Sequence, residues 1–220
     1  MVQTFKQNLD EVTNKIKNIG NDLVKANELI LGALKDCDQK RFSEARNTIK
    51  NITSRTDEID NAIIKILALY TPEARDLRQV VAYFKITNEV ARACSNTRSF
   101  IRGFTDVCED LDVNTINEYT VPMQASTVQA IKTSIAMLSV DDTDELQEMY
   151  EEVLIEENKA DDLYEMIERK LVAQAENCST SFEKFHKMLR ALRKSEKIAG
   201  RAISVANLLV YIKVGGTLHN

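Results

Sequence analysis

Residues 59–78 read Ile59-Asp60-Asn61-Ala62-Ile63-Ile64-Lys65-Ile66-Leu67-Ala68-Leu69-Tyr70-Thr71-Pro72-Glu73-Ala74-Arg75-Asp76-Leu77-Arg78. Ile59, Ile63, Ile66 and Leu67 recur at three- and four-residue steps, the spacing of one face of an amphipathic helix. Thr71-Pro72 ends that helix, because the residue before a proline is pushed out of the helical region. Pro72 suits the first turn of the next helix, where its missing N–H costs nothing. Glu73 and Asp76 fall in the same turn, where negative charge favours the helix dipole. The stretch predicts two consecutive helices joined by a tight break.

The same periodicity extends both ways. Upstream, Phe5, Leu9, Val12, Ile16, Ile19, Leu23, Ala26, Leu29, Ile30, Ala33 and Leu34 make a long first helix. Phe42 begins the second, which runs through Ile49 and Ile52 to Leu67. Downstream, the third carries Leu77, Val80, Val81, Phe84, Ala91, Cys94, Ile101 and Phe104, with Phe84 expected in the core. Asp106–Asn114 reads as an acidic, turn-like linker. A fourth helix covers roughly Thr115–Leu138, with Pro122 near its start. Asp141-Asp142-Thr143-Asp144 offers an N-cap for a fifth, reaching about Ala175. Asn177-Cys178-Ser179-Thr180 is a loop, and a sixth helix, with Leu189 expected in its core face, stops at Gly215-Gly216.

Two sets of three helices suggest a duplication. Ile59-Asp60-Asn61-Ala62-Ile63 aligns with Ala160-Asp161-Asp162-Leu163-Tyr164 at an offset of 101, and Val90-Ala91-Arg92-Ala93 with Ser195-Glu196-Lys197-Ile198 at 105. The fold expected is all-α: six helices as a tandem duplication of two antiparallel three-helix bundles, residues 1–110 and 115–216.

Composition agrees. Six Gly and two Pro in 220 residues are too few for the turns of an all-β fold, and 44% hydrophobic with 29% charged residues suits a helical bundle rather than a disordered chain. A net charge of −5 without a basic run gives no counterion-release drive for nucleic acid. The longest apolar stretch, near Ile203–Ile212, carries Ser204 and Asn207 and is too short to span a bilayer. With no apolar leader visible either, the expected location is cytoplasmic.

Cys37, Cys94, Cys108 and Cys178 lie far apart, without CxxC or a neighbouring His, and are expected as free, mostly buried thiols. His186 reads as a surface or boundary residue and His219 lies one residue from the terminus, so no nucleophile constellation is visible and the chain reads as non-enzymatic. Carboxylates remain. Glu157 and Asp161, four apart on a helix, share a face and repel by a few tenths of a kcal/mol unless a cation lies between them. Oxygen donors of that kind suit a hard metal ion. Glu156 and Asp162 enrich the patch, while Lys159, Arg169 and Lys170 are near enough to screen it, so that its ordinary reading is a solvated acidic face. The small residues Ala91, Ala93, Ser95 and Ala199, Gly200, Ala202 read as tight interhelical packing.

Asp57-Glu58-Ile59-Asp60, then Pro72-Glu73-Ala74-Arg75-Asp76-Leu77-Arg78, then Lys85-Ile86-Thr87-Asn88 resemble the PhoU family, regulators of bacterial phosphate uptake. The PxAxDLR segment is the most specific element. Ala160-Asp161-Asp162-Leu163-Tyr164 and Leu208-Leu209-Val210-Tyr211-Ile212-Lys213-Val214-Gly215 support it in the second half. The resemblance implies a pair of three-helix bundles acting with the ATPase subunit of the phosphate ABC transporter and with a sensor histidine kinase, to keep phosphate-starvation genes off.

It also implies, for some members, iron or another metal held by E/DxxxD carboxylates on each repeat. Here the family's ERxGD element falls on Ala91-Arg92-Ala93-Cys94-Ser95, which has neither acid, and on Glu196-Lys197-Ile198-Ala199-Gly200, which keeps only the glutamate. No metal cluster is expected on the first repeat. A weak divalent or iron site at Glu157, Asp161 and Glu196 stays open on the second. A helical carboxylate metal-binding protein and a divergent accessory protein of another phosphate transporter stay open as alternatives. Long amphipathic helices of this kind can pair, which leaves a homodimer open as well.

Overall fold

The computed structural model describes residues 2–177 and 182–215, and helix is their only regular structure. Cys178, most of the loop around it, Gly216 and His219 lie outside the described residues.

Helix α1 (Val2–Ala33) buries Leu9, Val12, Ile16, Ile19, Leu23, Ala26, Ile30 and Ala33, the stripe its spacing dictates. Asp38 then caps α2 (Gln39–Thr48), its carboxylate accepting from the backbone N–H groups of Lys40 at 3.0 Å and Arg41 at 3.1 Å. The expected single second helix is broken here. Asn51 adopts a left-handed φ of 56°, and α3 (Ile52–Tyr70) starts afresh after it. Asparagine tolerates that conformation better than most residues. Thr71, at φ 45°, closes α3, and Pro72 lies in the connection rather than in the next helix. Helix α4 (Ala74–Thr105) begins two residues later, with Glu73 as its N-cap.

The presumed linker is not a loose one. After α4 a short 3-10 turn (Cys108–Asp110) follows, and Val107, Cys108 and Leu111 are all buried. Asp112 then caps α5 (Val113–Thr115), which runs through a π turn (Ile116–Thr120) into α6 (Val121–Ala136). The wide turn directly precedes Pro122, where a proline has no N–H to give and its ring crowds the preceding turn. Asp142 caps α7 (Thr143–Asn177) through the N–H groups of Asp144 and Glu145. Helix α8 (Phe182–Val214) stops at Gly215, whose φ of 80° is left-handed and whose N–H returns to the Tyr211 carbonyl at 2.9 Å.

One continuous apolar core runs through all the long helices. Phe100 stacks on Phe104, centroids 5.1 Å apart, and Phe42 tilts against Phe104 at 5.9 Å. At its centre lies a polar chain joining four helices. Asn27 donates to Thr97 Oγ1 at 3.2 Å, Gln124 to Asn27 Oδ1 at 3.0 Å, and Ser195 to Gln124 Oε1 at 2.7 Å, with Thr127 Oγ1 3.2 Å from Ser195 Oγ. Each of these five residues is buried, so each hydrogen bond replaces lost water.

Helices α4 and α8 make the most extensive contact in the molecule and run antiparallel. Arg78 lies against Gly215, Glu89 pairs with Arg201 at 2.9 Å, and Gly103 packs on Ala191. A Cβ on Gly103 would lie 3.2 Å from that of Ala191, and one on Gly20 would run into Ile135 at 2.5 Å, so Gly103 and Gly20 permit close helix approaches. Gly200 is not such a place, since a Cβ there would meet only Glu157 Oε1, at 3.9 Å. That corrects the close-packing expectation at this residue.

Two further expectations are corrected. Cys37 and Cys108, with Cα atoms 6.0 Å apart, form a disulfide across 71 residues, while Cys94 is a free, buried thiol. The fold brings the α1–α2 turn against the end of α4, which no local spacing announces. Phe84 is 45% exposed, because the buried register of α4 runs through Val80, Tyr83, Thr87 and Val90 instead. Leu189 is half-buried and packs against the core.

Candidate functional site

The carboxylates singled out from the sequence lie near enough to one another, on α7 and α8, to interact electrostatically without closing into one cluster. Glu157 and Asp161, four apart, share one face of α7, and Glu196 on α8 feels the charge of both. Burial raises the Glu157 carboxyl above its ordinary value, and Asp161 raises it further. Glu196 is likewise raised by burial first and then by Asp161, with Glu157 adding to it and Arg193 and Lys197 working against it. The three acids therefore share one electrostatic environment. Gly200, at the position where the family pattern has aspartate, opens directly toward Glu157. Glu156 takes no part: it is paired with Lys159 at 2.6 Å.

The donor chemistry of this set, all carboxylate oxygen, fits a hard cation, which takes about six oxygens. The placement is open, however. Among the described residues no group of three or more His, Cys, Asp or Glu side chains stands close enough to hold a metal ion. The corresponding place on α3 has less. Asp60 is raised by burial and then by Asp57, and α4 supplies Ala91 and Ser95 where acids would be needed.

A second surface escaped the sequence reading. Leu77, Val81 and Phe84 follow one another at four- and three-residue steps along α4 and are 41%, 39% and 45% exposed. On the neighbouring α3, Ile64 and Leu67 are exposed as well. Exposed apolar residues gathered along a helix are the material of a protein–protein contact. Their hydrophobicity is visible in the sequence, where it makes Phe84 an expected core residue. The signal that separates the two readings is the weaker stripe of Tyr83, Thr87 and Thr97, which is the one facing inward.

No helix among the described residues is long and apolar enough to cross a membrane. Comparison with known proteins places these features in context. A family model, the PhoU domain, matches residues 16–99 and again residues 121–209. The phosphate-specific transport system accessory protein PhoU homolog of Pseudomonas aeruginosa is 22% identical over 97% of this chain and 86% of its own length. The crystal structure of PhoU from Pseudomonas aeruginosa superposes with a TM-score of 0.84 at 20% identity, covering 96% of this chain and all of the other. The phosphate transport system regulatory protein PhoU from Streptococcus pneumoniae superposes with a TM-score of 0.80 at 16% identity, covering 98% of this chain and all of that one.

Proposed function

This chain belongs to the PhoU family, and from that premise we propose that it is a non-catalytic accessory protein of phosphate transport. It acts at the cytoplasmic face, restraining phosphate uptake and the phosphate-starvation response through contacts with the transporter's ATPase subunit and a sensor histidine kinase. The observation that carries this reading is the doubled domain match, together with likeness along nearly the whole chain to a relative named as a transport accessory protein. The two matched stretches also support residues 1–110 and 115–216 as two repeats.

The working surface in this reading is the apolar face of α4 around Leu77, Val81 and Phe84. Deleting the gene and measuring phosphatase expression in high phosphate tests the role. Constitutive expression is the expected result, and continued repression would leave the family fold without the regulatory role. Co-purification with the transport ATPase and the kinase, compared between the native chain and Phe84→Glu, tests the surface.

A second reading is favoured by the mutual repulsion of Glu157, Asp161 and Glu196. A hard divalent or iron cation on the second repeat would relieve it. Metal analysis of protein purified without chelator, set against the Glu157→Ala, Asp161→Ala double variant, decides. Equal and negligible metal in both ends that reading.

A further inference from the structure

At the far end of the α4–α8 seam from the apolar face lies a cleft of about 320 Å³. Gly103 of α4 packs against Ala191 of α8 in its lining. Around that contact stand Arg102 from α4 and Lys187, Arg190 and Lys194 from α8, with Ser99 and Asp106 completing the rim. Four cations against a single acid make this a positive notch in a chain of net charge −5. Lys187 pairs with Glu183 at 2.8 Å. Arg102, Arg190 and Lys194 form no ion pair with any described residue. Like charges facing one another across a cleft repel, and a multiply charged anion reverses that cost.

The spacing selects the kind of anion. Lys187, Arg190 and Lys194 fall in a row on one face of α8, its ends seven steps apart, about 10 Å at 1.5 Å per residue. With the side chains extended from the helix, one tetrahedral oxyanion cannot span that row. Two or three linked phosphate groups can, with Arg102 closing from the opposite wall and the guanidinium groups suited to bidentate contact with phosphate oxygens. The volume lies at the lower end of the range for small-molecule sites, which suits a compact, highly charged ligand. We propose that this cleft between α4 and α8 binds a small oligophosphate, a soluble anion carrying at least two phosphate groups. This site is distinct from the α7–α8 carboxylates and from the apolar face of α4, and it does not depend on either.

Titration calorimetry of the whole chain with inorganic pyrophosphate, adenosine triphosphate, orthophosphate and a short polyglutamate peptide tests the proposal. Pyrophosphate or adenosine triphosphate is expected to bind at least tenfold more tightly than orthophosphate. Comparing those two separates a ligand recognised by its phosphates alone from a nucleotide. The Arg190→Ala, Lys194→Ala double variant, checked for native helicity and thermal midpoint, is expected to weaken that binding by tenfold or more. Lys132→Ala, on α6, is expected to leave it unchanged. No binding of either oligophosphate overturns the proposal. So does equal binding of orthophosphate and pyrophosphate, or binding that the double variant retains. Binding of polyglutamate with the phosphates silent also overturns it, and assigns the cleft to an acidic protein segment. Should the double variant lose helicity, Lys194→Gln alone, with the same loss expected, decides instead.

Discussion

Ser195 on α8 donates to Gln124 Oε1 on α6 across 2.7 Å, and Gln124 in turn donates to Asn27 on α1 at 3.0 Å. Through this one amide, helices from the beginning, middle and end of the chain are joined inside an otherwise apolar core.

Gln124→Leu should therefore destabilise the fold by about 1–3 kcal/mol, because it leaves the buried Asn27 Oδ1 without its donor and the Ser195 hydroxyl with Thr127 alone. Urea unfolding at neutral pH measures the cost. A loss below a few tenths of a kcal/mol would mean that the chain of hydrogen bonds is not formed.

Phe84→Ala should cost no more than about 1 kcal/mol, since much of the ring is already in solvent. Phe100→Ala, in the fully buried aromatic stack, should cost about 3–5 kcal/mol. The two variants unfolded side by side check the register of α4, and equal costs would refute it.

The pH dependence follows from Glu157 on α7 and Glu196 on α8. Their folded-state affinities for protons exceed the unfolded ones, so the folded chain holds more protons above the ordinary carboxyl value of 4.5. Stability from these groups is fully present below that value and declines as pH rises through their raised folded values. Glu157→Gln should then stabilise the metal-free protein at pH 7 by a few tenths of a kcal/mol, and the gain should vanish near pH 4. Chemical unfolding at both pH values, with chelator present, provides the comparison. Destabilisation at pH 7 in the presence of added metal alone would instead mark Glu157 as a ligand.

Gly200→Ala should raise stability by about 0.5–1 kcal/mol, because glycine inside a helix is unfavourable and a methyl there meets only Glu157 Oε1 at ordinary contact distance. A fall in thermal midpoint would show that the methyl group disturbs the seam.

Burial pushes the Cys94 thiol up to about 12, so it should resist alkylation at pH 8 until the chain unfolds. Cys37 and Cys108 should resist it until a reductant is added, and their disulfide, closing a loop across 71 residues, should contribute about 4 kcal/mol on the chain-entropy account. Peptide mapping after differential alkylation distinguishes the three residues. Labelling of Cys37 or Cys108 without reductant would contradict the pairing.

What was legible in the sequence was local. The stripe of α1, the stop at Thr71-Pro72 and the Asp142 cap each follow from residues within a turn or two of one another. The break at Asn51 was not legible, since Lys50-Asn51 carries neither glycine nor proline and the apolar steps continue across it. In α4 hydrophobicity ranks the faces in the wrong order: Leu77, Val81 and Phe84 are more apolar than the Thr87 and Thr97 that pack inward. Those threonines are acceptable inside because their hydroxyls return to the carbonyls of Tyr83 and Ala93. The acids of α7 were legible as an i, i+4 pair. The cleft cations were not, because Arg102 joins Lys187, Arg190 and Lys194 only through the antiparallel register of α4 and α8.

That register has a mechanical meaning. Leu77, in the apolar face, and Arg102, at the cleft, are separated by twenty-five residues of unbroken helix, about 38 Å. Along that length α4 is tied to α8 near both ends and by the Glu89–Arg201 pair between them. The two helices form a stiff beam. A rigid tilt of the pair at the cleft would carry to the opposite end a displacement that grows with that length.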